Sequence, residues 1–122
     1  MRSVLTITLI TVVISFSFGA TINVPENAAT IQAGIEAASA GDTVLVAPGT
    51  YYENLNYNGK NISVISEGGP NLTIVDGSNN GPALQMVSGE LRTALFQGFT
   101  VQNGNGLAGL TNPQARFGGG IA

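Results

Sequence analysis

Beyond Gly41, hydrophobic residues occur in short runs that are separated by Gly, Asn and Pro. Apolar and polar positions alternate within these runs, which predicts strands whose side chains point to opposite faces. The predicted strands are Thr43–Val46, Glu53–Tyr57, Ile62–Ser66, Thr73–Asp76, Ala83–Val87, Ala94–Gln97 and Phe99–Gln102. The predicted turns between them are Pro48-Gly49, Asn58-Gly59, Gly68 to Pro70, Gly77 to Pro82, Gly89 and Asn103-Gly104.

Apolar positions in these strands recur with a period of about 20 residues, which is typical of a repeating coil of chain. The first series consists of Val44/Val46, Ile62/Val64 and Leu84/Met86. The second series, offset from the first, consists of Leu55, Ile74 and Leu95. A sandwich or a barrel would also contain many short strands, but two interleaved series favour a solenoid.

The sequence therefore predicts an all-β solenoid, a right-handed parallel β-helix of about three rungs. Inward side chains would stack as aliphatic columns, with strands of successive rungs about 4.8 Å apart. Asparagines at the corners are expected to hydrogen-bond with those of the rungs above and below, and glycines to supply positive φ. The candidate corner asparagines are Asn54, Asn56, Asn58, Asn61, Asn79, Asn80, Asn103 and Asn105.

One short amphipathic helix is predicted before the first rung, over about residues 30–39. Thr30 is the expected N-cap, and Ile31, Ile35 and Ala38 fall on one face. Gly41 is expected to end the helix in the left-handed conformation. Since a solenoid exposes the core of its first rung, we expect this helix to cover it.

The N-terminal residues have the pattern of a secretory signal peptide over residues 1–20. Met1-Arg2 is followed by an uncharged apolar run from Val4 to Phe18, and then by the small residues Gly19 and Ala20. An uncleaved membrane anchor and a buried structural segment are the alternatives, although an anchor usually needs about 20 apolar residues. The expected product is secreted or displayed on the cell surface (extracellular, periplasmic or outer-membrane-associated) and meets the membrane only through its signal peptide.

Composition excludes several kinds of chemistry. Four basic and seven acidic residues give a net charge of −3, and the chain has no His and no Cys. Zinc sites, thiol catalysis, disulfides and imidazole proton shuttles are therefore not expected. Nucleic-acid binding is not expected either, because the few basic residues form no cluster.

The sequence also resembles a known superfamily. Thr30 to Ala33, Gly41 to Val46 and Pro48 to Asn54 look like the N-terminal cap and first rung of pectin-lyase-like proteins. Gly59 to Ile62, Thr73 to Gly77 and Gly98 to Gly104 resemble later rungs of secreted bacterial right-handed β-helix repeat proteins, and Gly118 to Ile121 is similar to a strand start found there and in polymorphic outer-membrane proteins. The motif positions are Thr30, Gly41, Asp42, Gly49, Tyr51, Glu53, Gly77, Gly98 and Asn103. Such proteins include lyases, hydrolases, esterases and non-catalytic adhesins, so the resemblance implies a fold rather than an activity.

No catalytic residue is predicted, because the acidic residues Asp42, Glu53, Asp76, Glu67 and Glu90 are scattered along the chain. Asp42 is expected to form an Asx-turn. Glu53 ends a Gly-x-Tyr-x-Glu stretch similar to the first motif of pectin methylesterases, whose later carboxylate pair and Arg have no counterpart here. Glu67 with Lys60, and Glu90 with Arg92, are expected to form solvated surface pairs.

No cofactor is predicted, with calcium at Asp76 to Gly81 as the alternative. This segment is similar to the start of a calcium loop, but Val87 occupies the position that needs a bidentate Glu, so a β-turn is the preferred interpretation. Two triplets, Asn61-Ile62-Ser63 and Asn71-Leu72-Thr73, match the N-glycosylation pattern, which the bacterial resemblance argues against.

Two functions remain open. The preferred one is a non-catalytic secreted or cell-surface module that acts in adhesion or in contact with polysaccharide or surface glycans, with Tyr51, Tyr52 and Tyr57 as candidates for stacking on sugar rings. The alternative is the N-terminal segment of a carbohydrate-active enzyme (polysaccharide lyase, glycoside hydrolase or pectinesterase type) whose catalytic residues follow residue 122. Residues 107–116 are expected to form a loop, and Gly118 to Ile121 to begin an open rung that continues in a longer protein or self-associates.

Overall fold

The computed structural model describes residues 19–90 and 93–105, together with the backbone of residues 116–118. The signal-peptide prediction up to residue 18, Arg92, the predicted loop from residue 107 to residue 115 and Gly119 to Ile121 lie outside these residues. The helix is α1 (Ile31–Ala37). The strands are β1 (Thr21–Val24), β2 (Thr43–Val46), β3 (Gly49–Tyr52), β4 (Leu55–Asn56), β5 (Ser63–Ser66), β6 (Thr73–Asp76), β7 (Leu84–Gln85), β8 (Leu95–Gln97), β9 (Thr100–Gln102) and β10 (Arg116–Gly118).

The strands form three parallel sheets, which confirms the predicted solenoid. A five-stranded sheet has the order β1-β2-β5-β8-β10, a three-stranded sheet the order β3-β6-β9, and a two-stranded sheet pairs β4 with β7. Each strand pairs with a counterpart from the next coil, and the chain completes about three turns. Parallel pairing between coils gives each strand's backbone groups partners without any hairpin.

The register shows that the two series inferred from the sequence were partly wrong. Val44 pairs with Val64 and then with Phe96, whereas Leu84 pairs with Leu55 in the two-stranded sheet. Ile74 belongs to the three-stranded sheet and Leu95 to the five-stranded one. A coil contributes up to three strands, and its turns differ in length, so a single period cannot assign residues to columns.

The core lies inside the coils and consists of the inward side chains of all three sheets. Its largest fully buried members are Tyr57, Phe96, Phe99, Ile31, Ile35, Leu55, Ile62 and Met86. The rings of Phe96 and Phe99 stack with their centroids 4.4 Å apart. Burial of these side chains is the main source of stability, at about 1.5–3 kcal/mol for each large aliphatic or aromatic residue.

Several element bounds differ from the predictions. Strands Thr43–Val46 and Thr73–Asp76 were predicted correctly, but β1 and β3 were missed. Gly49 opens β3 because its nitrogen donates to the carbonyl of Leu72 in the next coil, a contact that no local pattern reveals. The other predicted strands are shorter in the structure, most clearly Leu55–Asn56 within the predicted Glu53–Tyr57.

The helix covers the first coil, as predicted, but is shorter than residues 30–39. Thr30 is its N-cap and accepts from the backbone N–H of Ala33 at 3.0 Å. The C-cap is Ala38 in an extended conformation, so the expectation that Gly41 ends the helix was wrong. Gly41 has a φ of +89°, which belongs to the turn before β2. Gly34 lets the helix approach the sheet, since a Cβ there would lie 2.8 Å from a methyl group of Val44.

Candidate functional site

Glu53 is part of the helix cap and is bonded to backbone. Its two carboxylate oxygens accept from the N–H groups of Ile31 at 2.9 Å and Gln32 at 3.0 Å. These N–H groups belong to the first turn of α1, where no helical carbonyl is available to them. The carboxylate therefore completes the capping begun by Thr30, and this contact is its role in the structure.

Gln32 covers the outer edge of β4 with its side-chain amide. Its Oε1 accepts from the N–H of Asn56 at 2.9 Å, and its Nε2 donates to the carbonyl of the same residue at 3.1 Å. The carboxamide thus takes the place of a peptide group from a neighbouring strand. An edge strand whose N–H and C=O are paired in this way has less capacity to add a further strand.

Lys60 binds the other end of the helix. Its Nζ donates to the carbonyl oxygens of Ile35 at 2.9 Å, Glu36 at 2.7 Å and Ala38 at 2.8 Å. The final carbonyls of a helix lack intrahelical donors and carry partial negative charge, so an ammonium group is well suited to them. The predicted surface pair of Lys60 with Glu67 was wrong, because the helix C-terminus takes all three donors.

Asp42 joins the end of α1 to the residue before β1. Its carboxylate accepts from the N–H groups of Ser39 and Ala20, each at 2.8 Å. These two bonds, that of Ser39 first, hold the pKa of Asp42 below its ordinary value of 3.8. The expected Asx-turn, in which Asp42 would bond forward along the chain, was therefore wrong: the carboxylate bonds backward.

Glu90 is fully buried, with 0% of its surface exposed. Its oxygens accept from the N–H groups of Gly59 and Ser88, each at 2.9 Å. A buried carboxylate needs such donors to offset its desolvation. The expectation of a solvated pair with Arg92 was wrong for Glu90, and Arg92 itself lies outside the described residues.

Asp76 organises the surface at the end of the three-stranded sheet. Its carboxylate accepts from Gln102 Nε2 at 3.0 Å, Asn103 Nδ2 at 2.9 Å and the N–H of Ser78 at 2.8 Å. These bonds, with that of Gln102 first, keep the pKa of Asp76 below its ordinary value of 3.8. The bond to Ser78 closes an Asx-turn at this position.

The calcium alternative for residues 76–81 gains no support from this geometry. The partners of the Asp76 carboxylate are N–H donors, whereas calcium requires several converging oxygen ligands. In the part of the chain that the structure describes, no group of three or more Asp or Glu residues is gathered closely enough to hold a metal ion.

The three candidate tyrosines have different environments. Tyr52 is 72% exposed, on the outward face of β3. Tyr51 is half-buried against the core and donates to the carbonyl of Ala47 at 2.7 Å. Tyr57 is 0% exposed and donates to the carbonyl of Leu95, and burial raises its pKa well above 10.0. Glycan stacking by Tyr57 is therefore ruled out, because its ring fills the core.

Tyr52 lies in one column with the Asp76 cluster. The register of the sheet pairs Tyr52 with Asp76 and Asp76 with Gln102 across three successive coils. Gln102 and Asn103 are exposed, and Asn103 has a φ of +51° that turns the chain at the end of β9. We call Tyr52, Gln102 and Asn103 the outer patch. Sequence reasoning missed Gln102, whose role follows only from the register between coils.

The remaining candidates are structural in their contacts. Gly77 lies so close to the next coil that a Cβ would be 2.8 Å from the carbonyl oxygen of Asn103. Gly98 has a φ of +86° and its carbonyl accepts from the Ser66 hydroxyl. The corner residue Asn54 donates through Nδ2 to the carbonyls of Gly77 and Pro82, both at 3.1 Å, so it links coils through backbone rather than through another asparagine side chain.

No protein-family model, no curated protein and no solved structure matches the chain. Among the described residues, no helix has both the length and the apolar character needed to cross a membrane.

Proposed function

We propose that this protein is a non-catalytic secreted or cell-surface β-solenoid that contacts neutral glycans through the outer patch. The observation that carries the proposal is the Tyr52 ring, which is 72% exposed in the same column as the exposed carboxamide of Gln102, with the exposed carboxamide of Asn103 next to it in the chain. An exposed aromatic ring offers a flat apolar surface to the C–H face of a pyranose. Carboxamides both donate to and accept from sugar hydroxyls.

Asp76 is the positioning residue of the outer patch. It occupies one N–H of each carboxamide, which fixes both amide planes and leaves their oxygens and second N–H groups for a ligand. Groups that are already ordered lose less entropy when a ligand binds. Successive coils are about 4.8 Å apart, close to the length of one sugar residue, so a glycan aligned with the coil axis would place one sugar on each coil.

Charge favours a neutral glycan over an acidic one. The chain carries four basic and seven acidic residues, and the Lys60 ammonium is bonded to the helix. A polyuronate would meet a negatively charged protein, and among the described residues Asp76 is the ionised group nearest to the outer patch in register. Like charges brought together at an interface are unfavourable.

The cellular setting belongs to the same proposal. The N-terminal pattern of residues 1–20 supports export, and the motif resemblance supports a place in the pectin-lyase-like superfamily. The alternative function, the N-terminal segment of a carbohydrate-active enzyme, predicts catalytic residues encoded after residue 122. Release of unsaturated uronides or methanol from pectin by the protein, with or without calcium, would favour that alternative.

Affinity electrophoresis of the full chain in gels containing galactomannan, mixed-linkage glucan or polygalacturonate tests the proposal. We expect retardation by at least one neutral polymer and none by polygalacturonate. Tyr52→Ala should abolish the retardation. The matched control is Leu72→Ala, which removes another exposed apolar side chain, 58% exposed, from the residue preceding β6. Equal retardation of wild type and Tyr52→Ala, or retardation by polygalacturonate alone, would contradict the proposal.

A further inference from the structure

Three Asn-Gly peptides lie within the described residues, and their surroundings differ. They are Asn58-Gly59, Asn80-Gly81 and Asn103-Gly104. In such a peptide the backbone nitrogen of the glycine can attack the Asn side-chain carbonyl carbon, because glycine presents no side chain that would hinder the approach. The reaction requires the nitrogen to lose its proton and the side chain to rotate over it.

In two of these peptides, hydrogen bonds in the folded protein hinder the reaction. The nitrogen of Gly59 donates to the buried carboxylate of Glu90 at 2.9 Å, so it keeps its proton beside a negative charge. The side-chain Nδ2 of Asn103 donates to Asp76 at 2.9 Å, and the backbone carbonyl of Asn103 accepts from the N–H of Asn79 at 2.8 Å. In each case one of the two reacting groups is fixed by a hydrogen bond.

Asn80-Gly81 has neither restraint. Asn80 is exposed, and neither its carboxamide nor the Gly81 nitrogen is hydrogen-bonded to any described residue. Around Gly81, whose φ is +113°, a Cβ would meet no atom within 4 Å. Within the described residues, no hydrogen bond therefore keeps the exposed side chain of Asn80 from the Gly81 nitrogen.

We propose that Asn80 is a site of spontaneous deamidation in the folded protein, ahead of Asn58 and Asn103. The Gly81 nitrogen forms a bond to Cγ of Asn80, its proton is taken by solvent base, and the side-chain nitrogen leaves as ammonia. Water then opens the cyclic imide at either carbonyl, giving aspartate or isoaspartate. The overall change is addition of water and loss of ammonia, with no oxidant or reductant.

The modification would alter the turn between β6 and β7. The carbonyl of Gly81 accepts from the N–H of Asn105 at 2.8 Å and from Asn54 Nδ2 at 3.4 Å, so this turn joins three coils. Isoaspartate inserts an additional methylene into the main chain just before Gly81. We therefore expect the isoaspartate form to unfold at lower urea concentration than the unmodified chain.

Peptide mapping by mass spectrometry after incubation of the full chain at mildly alkaline pH tests the proposal. The same incubation in unfolding urea is the control, because it removes every structural restraint. Folded protein should accumulate aspartate and isoaspartate at residue 80 before residues 58 and 103, whereas the unfolded chain should react at these three peptides and at Asn105-Gly106. Glu90→Gln, which leaves a weaker acceptor for Gly59, should accelerate the reaction at Asn58 selectively. Equal rates at the three sites in folded protein, or a faster reaction at Asn58 or Asn103, would overturn the proposal.

Discussion

The helix-covered end of the solenoid and the outer face of its three-stranded sheet use similar side chains in opposite ways. At the covered end, Glu53, Gln32 and Lys60 all bond to backbone groups that the ends of helix and sheet leave without partners. On the outer face, Gln102 and Asn103 are fixed by Asp76 yet remain exposed. The difference teaches that Glu53 and Lys60 serve the fold, whereas the outer patch keeps polar side chains in solvent, which is where we propose that a glycan binds.

The two tyrosines Tyr52 and Tyr57 show the same contrast. They lie five positions apart in the sequence, but one ring is fully buried and the other is 72% exposed. Alternation along one strand cannot relate the two rings, because Tyr52 ends β3 and Tyr57 follows β4. A tyrosine can serve a core as well as a surface, since its ring is apolar and its hydroxyl needs only one partner.

At the helix-covered end, the largest effect is expected when the helix loses its C-terminal cation. Lys60→Met keeps most of the alkyl stem but leaves the carbonyls of Ile35, Glu36 and Ala38 without their charged donor. We expect a loss of about 2–3 kcal/mol in the free energy of unfolding. Urea denaturation monitored by circular dichroism measures it, with Glu67→Gln as the control. A loss as small as that of the control would mean that the helix end is solvated rather than held by Lys60.

A smaller effect is expected at the other end of the helix. Glu53→Gln preserves the shape but can accept from only one of the two N–H groups of Ile31 and Gln32 while its own NH2 faces the other. We expect a loss of about 1–2 kcal/mol in the free energy of unfolding. The same urea titration tests it, and glycan retardation should not change. Loss of binding with unchanged stability would place Glu53 in the ligand site instead of the cap.

The dependence of stability on acid pH tests both regions, because each contains an aspartate with a lowered pKa. The carboxylates of Asp42 and Asp76 are favoured by their hydrogen bonds in the folded state. Their contribution to stability is therefore present above the unfolded value of 3.8 and is lost as the pH falls below it through the lower folded pKa. Urea midpoints measured from neutral pH to about pH 2 should fall in that window.

Two variants show which aspartate causes the loss of stability at acid pH. Asp42→Asn and Asp76→Asn should each flatten the acid limb, because each removes a group that takes up a proton on unfolding. Asp76→Asn should in addition weaken glycan retardation at neutral pH, whereas Asp42→Asn should not. An acid limb that is unchanged in both variants would show that other carboxylates determine it.

The smallest effect on stability is expected on the outer patch. Tyr52→Ala removes a side chain that is mostly in solvent, so we expect the free energy of unfolding to change by less than about 0.5 kcal/mol. Tyr57→Ala, its buried counterpart, should cost about 3–5 kcal/mol because it leaves a cavity in the core. If the two substitutions lowered the free energy of unfolding equally in urea titrations, the assignment of one ring to the surface and the other to the core would be contradicted.

Much of the fold could be predicted from the sequence, because strand alternation and turn residues are local. The strands Thr43–Val46 and Thr73–Asp76, the Thr30 cap and the solenoid itself were predicted correctly. The columns were not, because turns of unequal length decide which residues pair, as with Leu55 and Leu84. The packing of α1 on the first coil likewise brings Lys60 to Ile35, for which neither residue carries a local signal.

The candidate site was predictable only in part. Tyr52 was among three equivalent candidates, since pleat alternation does not say which tyrosine faces inward before the strand bounds are known. The contact of Gln102 with Asp76 depends on pairing between β6 and β9, which are separated in the chain by β7, β8 and the turns around them. Composition indicated few charges, but it did not show that Lys60 and Glu53 are bonded to backbone.

The most direct measurement of the central claim compares stability and glycan retardation in the same preparations of wild type, Lys60→Met and Tyr52→Ala. We predict that Lys60→Met unfolds at a lower urea concentration than wild type. Under conditions in which this variant is folded, a neutral glycan should retard it as much as it retards wild type. Tyr52→Ala should unfold at the same urea concentration as wild type and should migrate through the glycan gel without retardation. Loss of retardation in folded Lys60→Met, or normal retardation of Tyr52→Ala, would contradict the division between a structural end and a binding face.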